Sequence, residues 1–257
     1  MRHLLMIHGI GCGGNAWDAM RPEFESHGWS CTAPTLFPEL RTLGEPPGEL
    51  TNLRLQDYVD QTLAWAKEIE EKEGRKPALI GHSMGGLIGQ VIASEGAVEV
   101  AIFLTPAPPK DCAVQSITAL ITFGNIVRHG EEKARTMPHK VWQRGFNYGV
   151  LNRVPKSRFD EIYAGARYDS GRVYGDIIDG VDIDEASINI PTLTIGARHD
   201  RATPVKGARK MAEKYSASPV PGDYLEYQNS GHWLVDEPAT SQMTTDILGW
   251  LDEKMPA

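Results

Sequence analysis

Cysteine is scarce in this chain, and so are long apolar runs and any excess of positive charge. The three cysteines among 257 residues, Cys12, Cys31 and Cys112, cannot form a closed set of disulfides. None of them belongs to a C-x-x-C pair, which is the spacing typical of zinc and redox sites. The sequence therefore argues against a disulfide-stapled secreted domain, and the thiols are expected to pack as small buried side chains.

The balance of charge argues against two classes of partner. The formal net charge is −8, and a net-acidic surface attracts neither nucleic acid phosphates nor an anionic membrane. No apolar stretch approaches the roughly 20 residues that cross a bilayer. The N-terminal run MRHLLMIHGIG breaks after Ile7 without a cleavage site, so it indicates a strand rather than a signal peptide. We expect a cytoplasmic protein, monomeric or homodimeric, whose partner is a small molecule.

Short apolar runs alternate with segments of helical periodicity along most of the chain. This alternation predicts an α/β fold with about six mostly parallel strands covered by helices on both faces. The pattern breaks in the region 108–189, where helix-like pieces are separated by Gly and Pro. We therefore predict one domain, with its core at 1–107 and 190–257 and a helical cap inserted at about 108–189. The predicted strands are 4–7, 30–33, 78–80, 100–104, 192–195 and 224–227.

The stretch LIGHSMGGLIG, residues 79–89, places one serine between two glycines in the pattern G-x-S-x-G. Ser83 follows a predicted strand and precedes a predicted helix. In a sharp strand-turn-helix, side chains two positions before and after the serine would collide, so Gly81 and Gly85 suit this turn. Such a turn exposes the hydroxyl at the carboxyl edge of the sheet, where open α/β sheets bind ligands. A turn that only packs the helix on the strand is the alternative, but the context favours a nucleophile.

A serine nucleophile needs a base and a carboxylate that orients the base. His232 follows the last predicted strand and is the predicted base, with an ordinary surface histidine as the alternative. Asp200 follows the preceding strand and is the predicted carboxylate, although it could instead cap a helix beginning near Pro204. Asp111, after the fourth predicted strand, is the second candidate for this role.

The Gly-rich loop MIHGIGCGGNAW follows the first predicted strand. Because glycine lets backbone N–H groups approach a substrate, we predict that the N–H groups of Ile10 and Met84 form an oxyanion hole. The glycines of this loop also match the dinucleotide pattern G-x-G-x-x-G. The acidic residue expected about twenty residues further on is missing, however, because Pro34 follows the second predicted strand. Nucleotide binding is therefore disfavoured, and no cofactor or metal is predicted.

With these motifs, the sequence resembles the α/β-hydrolase fold superfamily. HGIG, GHSMGG, GARHDRATP and SGHW occur in the order typical of that superfamily, and the resemblance covers nearly the whole chain outside the insertion. The N-terminal segment is similar to small lysophospholipase-like esterases and to the plant methyl esterase and hydroxynitrile lyase group. The lyases have threonine where this sequence has Gly9, and lysine where it has Trp233. The resemblance therefore implies ester hydrolysis rather than cyanohydrin cleavage.

Taken together, the motifs and the resemblance predict a serine hydrolase that cleaves a carboxylic ester or lactone through an acyl-enzyme. Carbon–carbon bond hydrolysis, acyl transfer or perhydrolysis on the same residues stays open, as does a receptor that only binds a ligand. Aromatic residues of the insertion are expected to wall an apolar pocket, with packing of the cap onto the core as the alternative. The predicted substrate-binding residues are Gly9, Trp142, Phe146, Tyr163 and Trp233.

Overall fold

The computed structural model describes residues 2–256 of the chain, and eight strands form within this range. They are β1 (His3–Ile7), β2 (Ser30–Thr32), β3 (Ala78–His82), β4 (Val100–Leu104), β5 (Pro138–His139), β6 (Asp169–Ser170), β7 (Thr192–Ala197) and β8 (Asp223–Tyr227). Six of them form one sheet in the order β2-β1-β3-β4-β7-β8, and every neighbouring pair is parallel. The predicted α/β-hydrolase architecture, with about six mostly parallel strands, is confirmed.

Apolar side chains of the central strands alternate between the two faces of the sheet, because successive residues of a strand point to opposite sides. In β1, Leu4 and Met6 join the buried cluster on one face, and Leu5 and Ile7 join the cluster on the other. Burial on both faces is typical of a parallel sheet covered by crossover helices.

Helices cover both faces of the sheet and fill the segment between β4 and β7. They are α1 (Arg21–Ser26), α2 (Leu55–Glu73), α3 (Met84–Ser94), α4 (Ile117–Thr122), α5 (Gly124–Val127), α6 (Glu131–Arg135), α7 (Gln143–Gly145), α8 (Phe159–Ala164), α9 (Gly171–Asp179), α10 (Val205–Tyr215) and α11 (Thr240–Lys254). Helices α1 and α11 pack in the cluster that contains Leu4, whereas α2, α3 and α10 pack in the cluster that contains Leu5.

The segment between β4 and β7, called the inserted segment below, contains helices α4 to α9 and a short antiparallel ladder between β5 and β6. In this ladder Pro138 lies opposite Ser170, and His139 lies opposite Asp169. The sequence did not predict the ladder, because two residues are too few for a recognisable strand pattern. Within residues 2–256, none of the helices has both the length and the apolar character that spanning a membrane requires.

Candidate active site

Ser83 lies on the sharp turn between β3 and α3. Its backbone has φ 56° and ψ −117°, a conformation that is strained for a residue with a side chain. A Cβ atom on Gly81 would collide with the carbonyl oxygen of Gly85, and one on Gly85 would collide with the carbonyl oxygen of Ile7. Both glycines are therefore required for the tight packing that holds the Ser83 hydroxyl at the carboxyl edge of the sheet.

The structure brings Ser83, His232 and Asp200 together, and all three side chains are buried. His232 Nε2 lies 3.1 Å from Ser83 Oγ, and His232 Nδ1 lies 2.8 Å from Asp200 Oδ2. In this arrangement the imidazole can accept the serine proton at Nε2, while the carboxylate stabilises the proton held on Nδ1.

The carboxylate of Asp200 also shapes its own loop. Its Oδ1 accepts hydrogen bonds from the backbone N–H groups of Ala202 and Thr203, each at 2.8 Å, just before α10 begins. These bonds close a turn and do not cap the helix, because Pro204 is the N-cap residue of α10 and no side chain caps that helix. Asp200 Oδ2, which faces His232, also accepts a hydrogen bond from Thr203 Oγ1 at 2.8 Å. The alternative acid Asp111 is exposed and forms an ion pair with Lys214, which lowers the pKa of Asp111. Asp111 is therefore not brought to His232.

Two residues that sequence reasoning missed hold the backbone of His232. His82 Nε2 donates to the His232 carbonyl oxygen at 2.8 Å, and Thr105 Oγ1 donates to the same oxygen at 3.1 Å. Burial lowers the pKa of His82 to about 3, so its ring stays neutral near neutral pH. Position next to Ser83 was the only sequence signal for His82. Thr105 had none, although its positive φ of 37° marks strain beside the site.

The loop after β1 approaches Ser83 closely. A Cβ on Gly9 would lie 3.0 Å from the Cβ of Ser83, so only glycine fits there without a shift of the loop. Within residues 2–256, no protein group accepts a hydrogen bond from the N–H of Ile10 or of Met84. Met84 is the first residue of α3, where backbone N–H groups lack partners inside the helix. Both N–H groups are thus available to an oxygen atom bound next to Ser83.

Two cavities meet at Ser83. The larger, of about 280 Å³, is mostly apolar and lies beneath α4, α5 and α9, with Ala119, Val127 and Ile178 among its lining residues. Ile10 and Met84 line this cavity, but His232 does not. The smaller cavity, of about 10 Å³, is lined by His232 and by three of the predicted substrate-binding residues, Gly9, Phe146 and Trp233. The site is therefore asymmetric about Ser83, with a large apolar cavity on one side and a small cavity beside His232 on the other.

The structure does not bring Trp142 and Tyr163 to either of these cavities. The indole of Trp142 is 38% exposed, and its Nε1 donates to the Thr122 carbonyl oxygen. Tyr163 packs behind Phe146, with ring centroids 5.6 Å apart, and its hydroxyl donates to the Val141 carbonyl oxygen. Both aromatic residues brace the inserted segment, and other residues of that segment form the cavity wall.

Comparison with known proteins agrees with this fold. Residues 4–240 match the model of the alpha/beta hydrolase family, and the chain belongs to that family. Within residues 2–256, no group of three or more His, Cys, Asp or Glu side chains is suitably arranged to hold a metal ion.

Three solved structures illustrate the likeness. A methylesterase, MES16 from Arabidopsis, aligns with TM-score 0.72 and 15% identity, over 98% of this chain and 100% of its own. Monoacylglycerol lipase from Paleococcus ferrophilus aligns with TM-score 0.70 and 19% identity, over 98% and 94% of the two chains. A pyrethroid hydrolase from Sphingobium faniae aligns with TM-score 0.70 and 18% identity, over 98% and 97%. At these identities the likeness shows the shared fold, and the predicted resemblance to this group is confirmed.

Proposed function

We propose that this protein is a serine hydrolase that cleaves a carboxylic ester or lactone through an acyl-enzyme. The observation that supports this most directly is the chain of contacts from Ser83 through His232 to Asp200, beside two backbone N–H groups without protein acceptors. The names of the similar proteins, an esterase, a lipase and a pyrethroid hydrolase, agree with this chemistry.

The proposed reaction begins when Ser83 Oγ attacks the substrate carbonyl carbon and His232 Nε2 accepts the hydroxyl proton. The carbonyl oxygen becomes an anion and accepts hydrogen bonds from the N–H groups of Ile10 and Met84. His232 then gives its proton to the alcohol oxygen as the carbon–oxygen bond breaks. Water attacks the acyl-enzyme by the same route, and the acid is released while Ser83 regains its proton.

The asymmetry of the site supports one placement of the two halves of the ester. The leaving oxygen must lie near His232 Nε2, because it receives the proton from that atom. His232 lines only the smaller cavity, so the acyl group is proposed to extend into the larger one, of about 280 Å³. Because apolar side chains dominate that wall, an apolar acyl group is the expected substrate class.

Hydrolysis of methyl esters from acetate to decanoate, followed by titration of the released acid, tests this function. Methyl esters are suitable because their leaving group is small. We expect turnover by the wild-type protein and a fall in kcat of about 10⁴-fold or more in Ser83→Ala. The matched control is Ser94→Ala in the same helix, since the Ser94 hydroxyl donates only to the Val91 carbonyl oxygen. Equal rates for Ser83→Ala and the wild type would contradict the proposal and favour a ligand-binding role.

A further inference from the structure

A fully buried ion pair joins the inserted segment to the core. Arg41 Nε lies 2.7 Å from Asp169 Oδ1, and Arg41 Nη2 lies 2.8 Å from Asp169 Oδ2. Neither side chain is exposed to solvent. Burying two charges is costly even when they pair, so such a pair by itself is weak evidence of a contribution to stability. Its other contacts therefore indicate what the pair is for.

Those contacts converge on the loop after β1. Asp169 Oδ2 accepts a hydrogen bond from the Gly11 N–H, and Arg41 Nη2 donates to the Cys12 carbonyl oxygen at 2.9 Å. The Gly11 carbonyl oxygen accepts from the N–H of Arg167, two residues before Asp169, at 2.8 Å. Both polar backbone groups of Gly11 are thus bonded to the inserted segment.

Arg41 reaches the other side of the loop through His8. His8 Nε2 lies 3.1 Å from Arg41 Nη1 and also accepts from the N–H of Leu36 at 3.1 Å. Because two donors face Nε2, the ring proton lies on Nδ1, which donates to the Gly9 carbonyl oxygen at 2.8 Å. Burial, with the nearby Arg41 charge, holds the pKa of His8 well below its usual value, so the ring stays neutral.

We propose that Arg41 and Asp169 are positioning residues for the oxyanion hole, because they fix the backbone on both sides of Ile10. This inference rests on the proposed function, in which the Ile10 N–H stabilises the oxyanion. Such a donor is effective only when it is held in place before the reaction, and a misplacement of about 1 Å can cost about 100-fold in rate. The inserted segment therefore supplies part of the catalytic geometry as well as the wall of the acyl cavity.

Two variants test this role. Asp169→Asn preserves the shape of the side chain but directs an amide N–H group towards groups that are themselves donors. It also leaves a buried guanidinium without its counter-charge, which can prevent folding. The second variant, Arg41→Met with Asp169→Leu, removes both charges together, a replacement that is often neutral for stability. The matched control is Tyr58→Phe, because the Tyr58 hydroxyl bonds the same carboxylate, at 2.6 Å, without bonding the loop.

Three measurements report separately on the loop and on the chemistry: hydrogen exchange, covalent labelling of Ser83 and steady-state kinetics with an ester. Hydrogen exchange of a peptide covering residues 8–14 reports on the tether itself. The rate constant of Ser83 labelling by a fluorophosphonate reports on the oxyanion hole without any ester substrate. In the charge-free variant we expect faster exchange, labelling slowed by about 30- to 100-fold and kcat lowered equally. KM should change by less than about threefold, because the lost interaction acts mainly in the transition state.

The outcomes separate this inference from the proposed function. The positioning role alone would be overturned if residues 8–14 of the charge-free variant exchanged faster but Ser83 was labelled at the wild-type rate. Unchanged exchange of residues 8–14 in that variant would also overturn it. A loss in Tyr58→Phe as large as that in the charge-free variant would also overturn it. A wild-type protein that resists the fluorophosphonate and hydrolyses no ester would overturn the proposed function, and the positioning role with it.

Discussion

At the scale of single residues, the Asp200 carboxylate connects His232 with the turn that follows Asp200, and Thr203 of that turn bonds to both carboxylate oxygens. Oδ2 lies 2.8 Å from His232 Nδ1, and Oδ1 accepts from two backbone N–H groups of the following turn. The turn therefore orients the carboxylate, and the carboxylate orients the imidazole. A hydrogen-bond acceptor at Oδ2 favours the tautomer with the ring proton on Nδ1, and in the proposed reaction Nε2 then accepts the proton of Ser83.

Asp200→Asn is expected to lower kcat for methyl octanoate by about 10³- to 10⁴-fold with little loss of stability. The asparagine oxygen can still accept from the turn, but its amide N–H group faces Nδ1 and favours the tautomer that is protonated on Nε2. Asp111→Asn is the matched control, because Asp111 is exposed and bonded to Lys214. If Asp111→Asn abolished turnover while Asp200→Asn left it intact, the assignment of the carboxylate would be wrong.

At the scale of secondary-structure elements, three helices of the inserted segment wall the larger cavity. Ala119 on α4, Val127 on α5 and Ile178 on α9 all line it. The cavity therefore exists only when the inserted segment is docked on the core. Under the proposed function, the size of the side chains that line the cavity limits the length of the acyl group.

Ala119→Phe is expected to shorten the preferred acyl chain, because a phenyl ring fills part of a cavity of about 280 Å³. Each methylene that is no longer buried costs about 0.8 kcal/mol, so losing two lowers kcat/KM for decanoate by about tenfold. The acetate rate should change little. Trp142→Phe is the matched control, since Trp142 lies outside this cavity. A shift of the chain-length profile in Trp142→Phe, with none in Ala119→Phe, would refute this account of the pocket.

At the scale of the whole molecule, buried neutral histidines link folding to pH. Burial lowers the pKa of His82 to about 3, whereas an unfolded histidine titrates near 6.5. Above pH 6.5 the ring is neutral in both states, so its contribution to stability is fully present. As the pH falls from 6.5 towards 3, the unfolded chain binds a proton that the folded protein does not, and the free energy of unfolding decreases.

Between pH 6.5 and 4, His82→Gln is expected to reduce the number of protons bound on unfolding by about one. The free energy of unfolding of the variant therefore falls less steeply as the pH falls. The glutamine amide can still donate to the His232 carbonyl oxygen, the contact that His82 Nε2 makes in the wild type. Urea unfolding of wild type and variant at several pH values gives the two slopes. Equal slopes for His82→Gln and the wild type would count against a proton uptake by this ring on unfolding.

Much of the fold was predictable because its signals are local. Residues close in sequence decide whether an apolar run forms a strand, and the parallel sheet and the family followed from the alternation of runs and the order of motifs. The candidate triad was predictable for a related reason. Residues that directly follow parallel strands reach the same edge of the sheet, so Ser83, Asp200 and His232 could be placed there without coordinates.

By itself, the sequence determined the architecture and the residues at the carboxyl edge of the sheet, because short-range periodicity and strand order suffice for both. Only the tertiary structure decided which residues of the inserted segment face the cavity and which, like Trp142, brace it from behind. It alone paired Arg41 with Asp169, which are 128 positions apart. The reason is that an irregular segment has no repeating pattern that fixes side-chain direction, so its contacts depend on how it packs against the core.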